Sequence, residues 1–345
     1  MLGTSTGGTD LRVRRLALLV VAVLAIALTG SACTPPPEPG QRYRVPADFY
    51  EGLVTAMADL NGPPPGANVA GCVPSRRHPR PVILLHGFAG NMADNMGGIA
   101  PFLANDGYCV YALTYGAPSG WIFGGLHDIR RSSMEEFGPF VDRVLAETGA
   151  RQVDVVGHSE GSVMPRWWMR FGRSVHRDGT PKVATMIGVG PATHGADLGG
   201  LATQMRTMPL FAGILDVLTR LGCGACDQVL AGSSFLEQLN STSHQQGERF
   251  RGPTQPGVRY LMLATTWDNF LVPYSYGFID HPTVRNMTVQ DVCPVDHADH
   301  LGIVFDPVAL DVIRNFLDPR GARTPRCVPT QPTFPSSEQS APASS

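Results

Sequence analysis

Lysine is almost missing from this chain: Lys182 is the only one in 345 residues, so the cationic side chains are nearly all arginine. Charge of either sign is also scarce and balanced. Lys and Arg number 27 against 29 Asp and Glu, and the net charge of -2 removes any electrostatic case for nucleic-acid binding. No internal repeat is present, which argues against a solenoid or propeller. The conspicuous apolar run, Leu16 to Leu28, holds 13 residues, whereas a comfortable bilayer span takes roughly 20. What remains is a globular composition, 43% hydrophobic and 16% charged, with a sparsely charged surface. The length suffices for a sizeable core in one large domain or two modest ones.

The short apolar run reads as targeting. Arg12, Arg14 and Arg15 precede it and the small residues "TGSAC" follow, the layout of a signal peptide over residues 1–32 and therefore of an exported protein. The adjacent Arg14 and Arg15 raise twin-arginine export, although the residues after them fit that signal poorly. Cys33 opens two readings. Ser31 and Ala32 suit a lipoprotein signal ending in an acylated cysteine, with Gly30 where a leucine is usual, so attachment to a membrane through lipidated Cys33 stands beside simple secretion. The "TPPPEPG" tract makes residues 33–44 an extended tether.

Seven cysteines are an odd number, and setting Cys33 aside leaves six that an oxidising compartment should pair. Cys72 and Cys109 bracket the first strand, Cys223 and Cys226 form "CGAC", and Cys293 and Cys327 flank the C-terminal region. Count alone leaves more than a dozen connectivities open. No second cysteine pair or "CxxCH" accompanies "CGAC", which makes a small structural loop a better reading than a redox or zinc half-site.

The folded domain is expected over 45–327. Short apolar strands, "PVILLHG", "YCVYALTYG", "RQVDVVG", "KVATMIGVG" and "GVRYLMLAT", alternate with helical stretches over Met92–Asn105 and Ser133–Thr148 and with the amphipathic "PVALDVIRNFL". That alternation indicates an α/β fold, a largely parallel sheet with helices on both faces. Between 191 and 256 the pattern breaks. In "PLFAGILDVLTRL", Leu210, Phe211, Ile214, Leu215, Leu218 and Leu221 share one face, either of a lid over the site or of a helix packed on the core. From Val328 to Ser345 the composition suggests a disordered tail.

"GHSEG", Gly157 to Gly161, matches the G-x-S-x-G nucleophile elbow and lies between an expected strand and an expected helix. Two glycines let strand and helix approach closely around a strained turn that lifts Ser159 above the sheet edge. A serine nucleophile needs a base and an oxyanion hole. "LLHGF" offers the Phe88 N–H for the hole, and the Glu160 N–H is the second donor. Asn91 and Asn95 could line the same mouth, with a solvated loop as the plainer reading. Asp154 is excluded as the acid because it lies about 16 Å along its strand from Ser159 at roughly 3.3 Å per residue. Asp268 follows a strand, at the sheet end where α/β sites assemble. In "DHADHLGIVFDP", His300 leads directly into an apolar continuation that would anchor a base, whereas His297 sits in a polar stretch. Asp296, His297, Asp299 and His300 can also be read as metal ligands, the weaker alternative. His158, His194 and His281 are expected to be structural or surface residues.

Together these motifs resemble the bacterial class 2 lipases of the α/β-hydrolase superfamily. The likeness runs from Cys72 to Leu317 through "PVILLHGF.GN", "GYCVYALTYG", "QVDVVGHSEG..MPR", "CGAC", "TWDNFLVPY" and "DHLGIVFDP.AL". The resemblance implies hydrolysis of triacylglycerols or other carboxylic esters by Ser159, Asp268 and His300. It also implies backbone donors at Phe88 and Glu160, no cofactor and no metal, and pairing of neighbouring cysteines, Cys72–Cys109, Cys223–Cys226 and Cys293–Cys327. Glu160 stands where glutamine is commoner, and "HQQGERFRGP" is longer than the usual segment. Esterase or acyltransferase action on shorter or polymeric esters is the alternative within enzymes. A non-catalytic binding protein on the same scaffold would be expected to lack one of the three side chains.

Overall fold

A computed structural model describes residues 42–197, 213 and 217–333. The expected signal peptide, Cys33, most of the expected tether and residues 334–345 lie outside the described residues. Among those described, no helix is long and apolar enough to cross a membrane.

Six strands form one sheet in which every pair is parallel: β1 Val82–Leu85, β2 Val110–Leu113, β3 Val153–His158, β4 Val183–Val189, β5 Arg259–Ala264 and β6 Val284–Thr288. Their spatial order is β2-β1-β3-β4-β5-β6. The chain thus steps outward from β1 to the edge at β2, then returns to the other side of β1 as β3. The carboxyl ends of β1 and β3 flank this reversal, the place where open α/β sheets bind ligands. β6 had no counterpart among the expected strands. Its Arg285 and Asn286 are exposed, and an edge strand of this kind lacks the continuous apolar run that marks a buried one.

Period-two alternation divides the core. Val82 and Leu84 of β1 face one layer with Val110, Ala112, Val156 and Leu261, covered by α3 (Ile99–Asn105) and α8 (Pro307–Leu317). Ile83 and Leu85 face the other with Val153, Val155 and Met186, covered by α4 (Gly138–Thr148) and α5 (Met164–Phe171). The helix expected over Met92–Asn105 is two helices, α2 (Met92–Asn95) and α3, interrupted at Gly97 and Gly98. A Cβ on Gly98 would fall against Val304 O and the Phe305 ring, so the close approach forces both the glycine and the break. Before α4 comes a π-helical turn, Ser132–Phe137. Its Ser133 hydroxyl donates to Met164 O and accepts from Trp168 N–H, fixing the start of α5.

Within 191–256, α6 (Ala225–Gln228) and α7 (Ser234–Asn240) pack Ala225, Phe235, Leu236 and Leu239 onto the second layer. Of the expected amphipathic face, Leu210, Phe211, Ile214 and Leu215 lie outside the described residues. Leu218 and Leu221 are exposed, together with Val217. The long "HQQGERFRGP" segment serves α5: buried Arg170 pairs with Glu248 at 2.6 Å, and Arg249 N–H donates to Arg170 O. Disulfides join Cys72 to Cys109, Cys223 to Cys226, and Cys293 to Cys327. The lone lysine, Lys182, precedes β4 and pairs with Asp142 at 2.6 Å.

The C-terminal segment departs from the disordered tail expected from Val328. Thr330 N–H donates to Asp296, its hydroxyl donates to Asp306, and its carbonyl accepts from His297 N–H. Thr333 O accepts from the Tyr50 hydroxyl of α1 (Phe49–Ala56). Composition did not reveal this because the strap is held by polar partners distant in sequence. Asp306 also caps α8 through Val308 and Ala309 N–H. Burial, with the neighbouring Asp296, pushes its pKa up to about 7. The folded pKa is raised above the unfolded one, so the folded chain holds a proton that the unfolded chain releases. The resulting stabilisation is lost as pH rises from about 4 to about 7. Asp306→Asn keeps the cap without the titrating proton. Urea midpoints across that window are expected to show wild type losing stability relative to the variant; parallel curves would assign the proton elsewhere.

Candidate active site

β3 ends at His158, and the chain enters a 3-10 turn, Ser159–Ser162, that leads into α5. Ser159 has φ +51°, one of three positive values among the described non-glycine residues. Such a conformation costs on the order of 1–3 kcal/mol and persists only where the surroundings impose it. Here they do. A Cβ on Gly157 would overlap Gly161 O, and one on Gly161 would lie 2.5 Å from both Leu85 O and His86 O. The Ser162 hydroxyl donates to Ser159 O at 2.6 Å, and Ala192 N–H donates to the same oxygen at 3.3 Å. Ser159 itself is half-buried at the sheet's carboxyl edge.

Asp268 follows β5 and His300 follows β6. Asp268 Oδ1 accepts the N–H groups of Phe270 and Leu271 at 2.9 and 2.7 Å, which fixes the carboxylate, while Oδ2 accepts from His300 Nδ1 at 2.7 Å. Burial alone would raise the Asp268 pKa. The His300 charge and these bonds outweigh it, holding the carboxyl below its ordinary value. With Nδ1–H committed to Asp268, Nε2 of His300 is left to take up a proton. The His300 carbonyl lies 2.9 Å from Nε2 of His158, the residue before Ser159. Gly190, at φ +49°, brings the chain after β4 against the His300 ring; a Cβ there would be 3.2 Å from Nδ1.

After β1 the chain passes the elbow equally closely. A Cβ on Gly87 would lie 3.0 Å from Ser159 Cβ, and Ala89 is another left-handed residue, φ +54°. Phe88 stands between them and is 39% exposed. His86 is buried and neutral: Nδ1 donates to Gly87 O at 2.8 Å, Nε2 accepts from Tyr115 N–H at 3.2 Å, and burial lowers its pKa to about 4.

Asn91 and Asn95 are not solvated. Asn91 caps α2 through Ala93 and Asp94 N–H. Asn95 Oδ1 accepts Gly87 N–H at 2.8 Å and faces His158 Nδ1 at 2.9 Å. Burial and the adjoining His300 lower the His158 pKa to about 3, so its neutral ring serves either Asn95 or His300 O with its one proton. One amide oxygen therefore joins the loop after β1 to the end of β3. The motif "GFAGN" places the capping Asn91 just past the strand, but the link that Asn95 makes to β3 is long-range and has no local signal.

Asp154 sits at the start of β3, where both its oxygens accept from Arg80 Nε at 2.9 Å. His297 packs against Trp267 with its ring tilted, centroids 4.2 Å apart. Asp296 receives Ala298 and Thr330 N–H, and Asp299 receives Gly302 N–H, so these carboxylates are spent on backbone. His158 is buried, His194 exposed, and His281 bonded to Thr283.

A sequence model of the family described as Lipase (class 2) matches residues 79–310. The chain belongs to the class 2 lipase family. It is accordingly a carboxylic ester hydrolase on an α/β-hydrolase fold. Among solved structures it is similar to Aspergillus fumigatus lipase B, with 18% identity and a TM-score of 0.52, over 87% of this chain and 67% of that one. It is also similar to the Bacillus licheniformis lipase BlEst2 in mature form, with 17% identity and a TM-score of 0.47, over 71% and 94%. At such identity the likeness to the Aspergillus fumigatus lipase is one of fold. For this class 2 lipase, Asn95→Ala leaves the buried Gly87 N–H unpaired, at about 1–3 kcal/mol. Denaturant unfolding is expected to show a loss of about 1–3 kcal/mol; a loss under about half a kcal/mol would mean that this donor finds another partner.

Proposed function

We propose that the protein is an exported triacylglycerol lipase working through Ser159, His300 and Asp268 and a covalent acyl-enzyme. The observation that carries this is the His300 Nδ1–Asp268 Oδ2 bond at 2.7 Å, made by an aspartate already pinned by two backbone N–H groups. It fixes the tautomer in which Nε2 is a base. Nε2 takes the proton of Ser159 Oγ as that oxygen attacks the ester carbonyl, and the carbonyl oxygen becomes an anion met by the N–H groups of Phe88 and Glu160. Glu160 is the second residue of a helical turn, where backbone N–H groups have no intrahelical partner. The same histidine returns the proton to the departing alcohol. Water, deprotonated by His300, then hydrolyses the acyl-serine and restores the enzyme.

Support for a lipid ester comes from the rim. Trp121, Phe123, Phe88, Phe270, Val272 and Tyr274 are all 37% exposed or more. Phe270 packs 5.1 Å from the His300 ring, and Gly125, next to the Trp121–Phe123 stretch, packs on Phe88 Cα. Export, ending either in secretion or in membrane attachment at Cys33, belongs to the same reading and rests on the N-terminal sequence.

Ser159→Ala is expected to abolish ester hydrolysis in folded protein. His300→Ala should lower kcat by about 10³-fold or more, and His297→Ala far less. The reverse ranking on one soluble ester would move the base to His297. On p-nitrophenyl esters from short to long chains, kcat/KM is expected to favour long chains, and Trp121→Ser to reduce that preference. A short-chain optimum would favour the esterase or acyltransferase reading.

A further inference from the structure

Glu160 contributes its backbone to the proposed site, but its side chain has no assigned role. The carboxyl is buried, with 1% of the residue exposed, and neither oxygen has a hydrogen-bond partner. Among the described residues, the polar group it interacts with is the Tyr115 hydroxyl. Tyr115 has one proton to give, and that proton goes to His86 O at 2.9 Å. A hydrogen bond between the two side chains therefore requires the carboxyl to supply the hydrogen and the tyrosine oxygen to accept it. An ionised carboxylate cannot do this.

We propose that Glu160 works as a neutral carboxylic acid, a positioning residue whose proton completes the chain Glu160 O–H to Tyr115 Oη–H to His86 O, and that loss of this proton disables the site. The chain joins two otherwise separate pieces. Glu160 follows the nucleophile, and His86 lies two residues before Phe88, so it ties together the backbone positions of the two proposed oxyanion donors. The Tyr115 ring also stacks on His86 at 4.4 Å and 15°, stiffening the same corner.

The surroundings agree. Burial is the dominant influence on Glu160 and pushes its pKa well above the ordinary carboxyl value. Tyr115 is itself raised well above 10, first by burial and then by Glu160 and Glu136, so it keeps its proton. His86, from the end of β1, is neutral, and Glu136, from the π turn, is occupied by Gly116 N–H at 3.1 Å. Among the described residues, no cation pairs with Glu160. Ionisation would break the bond to Tyr115 and put a negative charge beside the N–H meant to hold an oxyanion. In a water-poor site, one unit charge a few ångströms away opposes that anion by about tenfold or more in rate.

The proposal rests on the serine-hydrolase reading, and its test separates the two. Profiles of kcat/KM against pH on a soluble p-nitrophenyl ester are measured for wild type, Glu160→Gln and Ser159→Ala. Glutamine keeps a hydrogen for Tyr115 but cannot ionise. The ratio of the Gln variant to wild type is expected to rise about tenfold or more as pH is raised through the ionisation of the Glu160 carboxyl. A flat ratio with Ser159→Ala inactive overturns the role of Glu160 alone, whereas an active Ser159→Ala overturns the serine reading. NMR of wild type labelled with 13C at the glutamate carboxyls gives a readout without turnover. One glutamate carboxyl should remain protonated at neutral pH and should be missing from Glu160→Gln. A spectrum in which every glutamate is ionised at neutral pH overturns the proposal.

Discussion

Everything at the carboxyl edge depends on how closely the turn after β3 passes beneath the end of β1. There is no room for a side chain at Gly157, because Gly161 O occupies the space, nor at Gly161, because Leu85 O and His86 O do. The sheet sets this separation through the β1–β3 pairing of Leu85 with Gly157. With both glycines compressed, the residue between them is driven to φ +51°, and the serine is lifted out of the strand. Strain at one residue is thus held by two strands whose packing buries apolar side chains on both faces.

The elements around this crossing act in sequence. The sheet reversal puts the ends of β1 and β3 side by side. Asn95 then joins the two ends, accepting from Gly87 and facing His158, while the β5 and β6 loops deliver Asp268 and His300 from the far side. The polar network is buried and largely satisfied, which lets it specify one arrangement where apolar packing alone would permit several.

Much of this could be read before any coordinates. Five of the six strands announced themselves as short apolar runs, because strands covered on both faces need no polar positions. The elbow was legible because its chemistry is local: strand, glycine, serine, glycine, helix. The apolar continuation "LGIV" and the family-like "DHLG" favoured His300 over His297, and in the structure His300 Nδ1 lies 2.7 Å from Asp268 Oδ2. What escaped was either non-local or polar. β6 carries exposed side chains, Asn95 acts on a strand far away in sequence, and the strap at Thr330 is fastened by two aspartates on other segments. None of these leaves a periodic trace. Glu160 was visible as an oddity, an acid in place of an amide, but its meaning depends on which atom receives the tyrosine proton.

The scarcity of lysine acquires a practical sense once the fold is known. Lys182 lies just before β4, at the amino end of a parallel sheet whose carboxyl edge carries Ser159. Its ammonium is largely covered and paired with Asp142. Amine-directed coupling to a support or a label thus finds no other side chain to attack, and this one is at the opposite end of the sheet from the mouth. Protein tethered there would present its aromatic rim outward, in a single orientation fixed by the topology of the sheet.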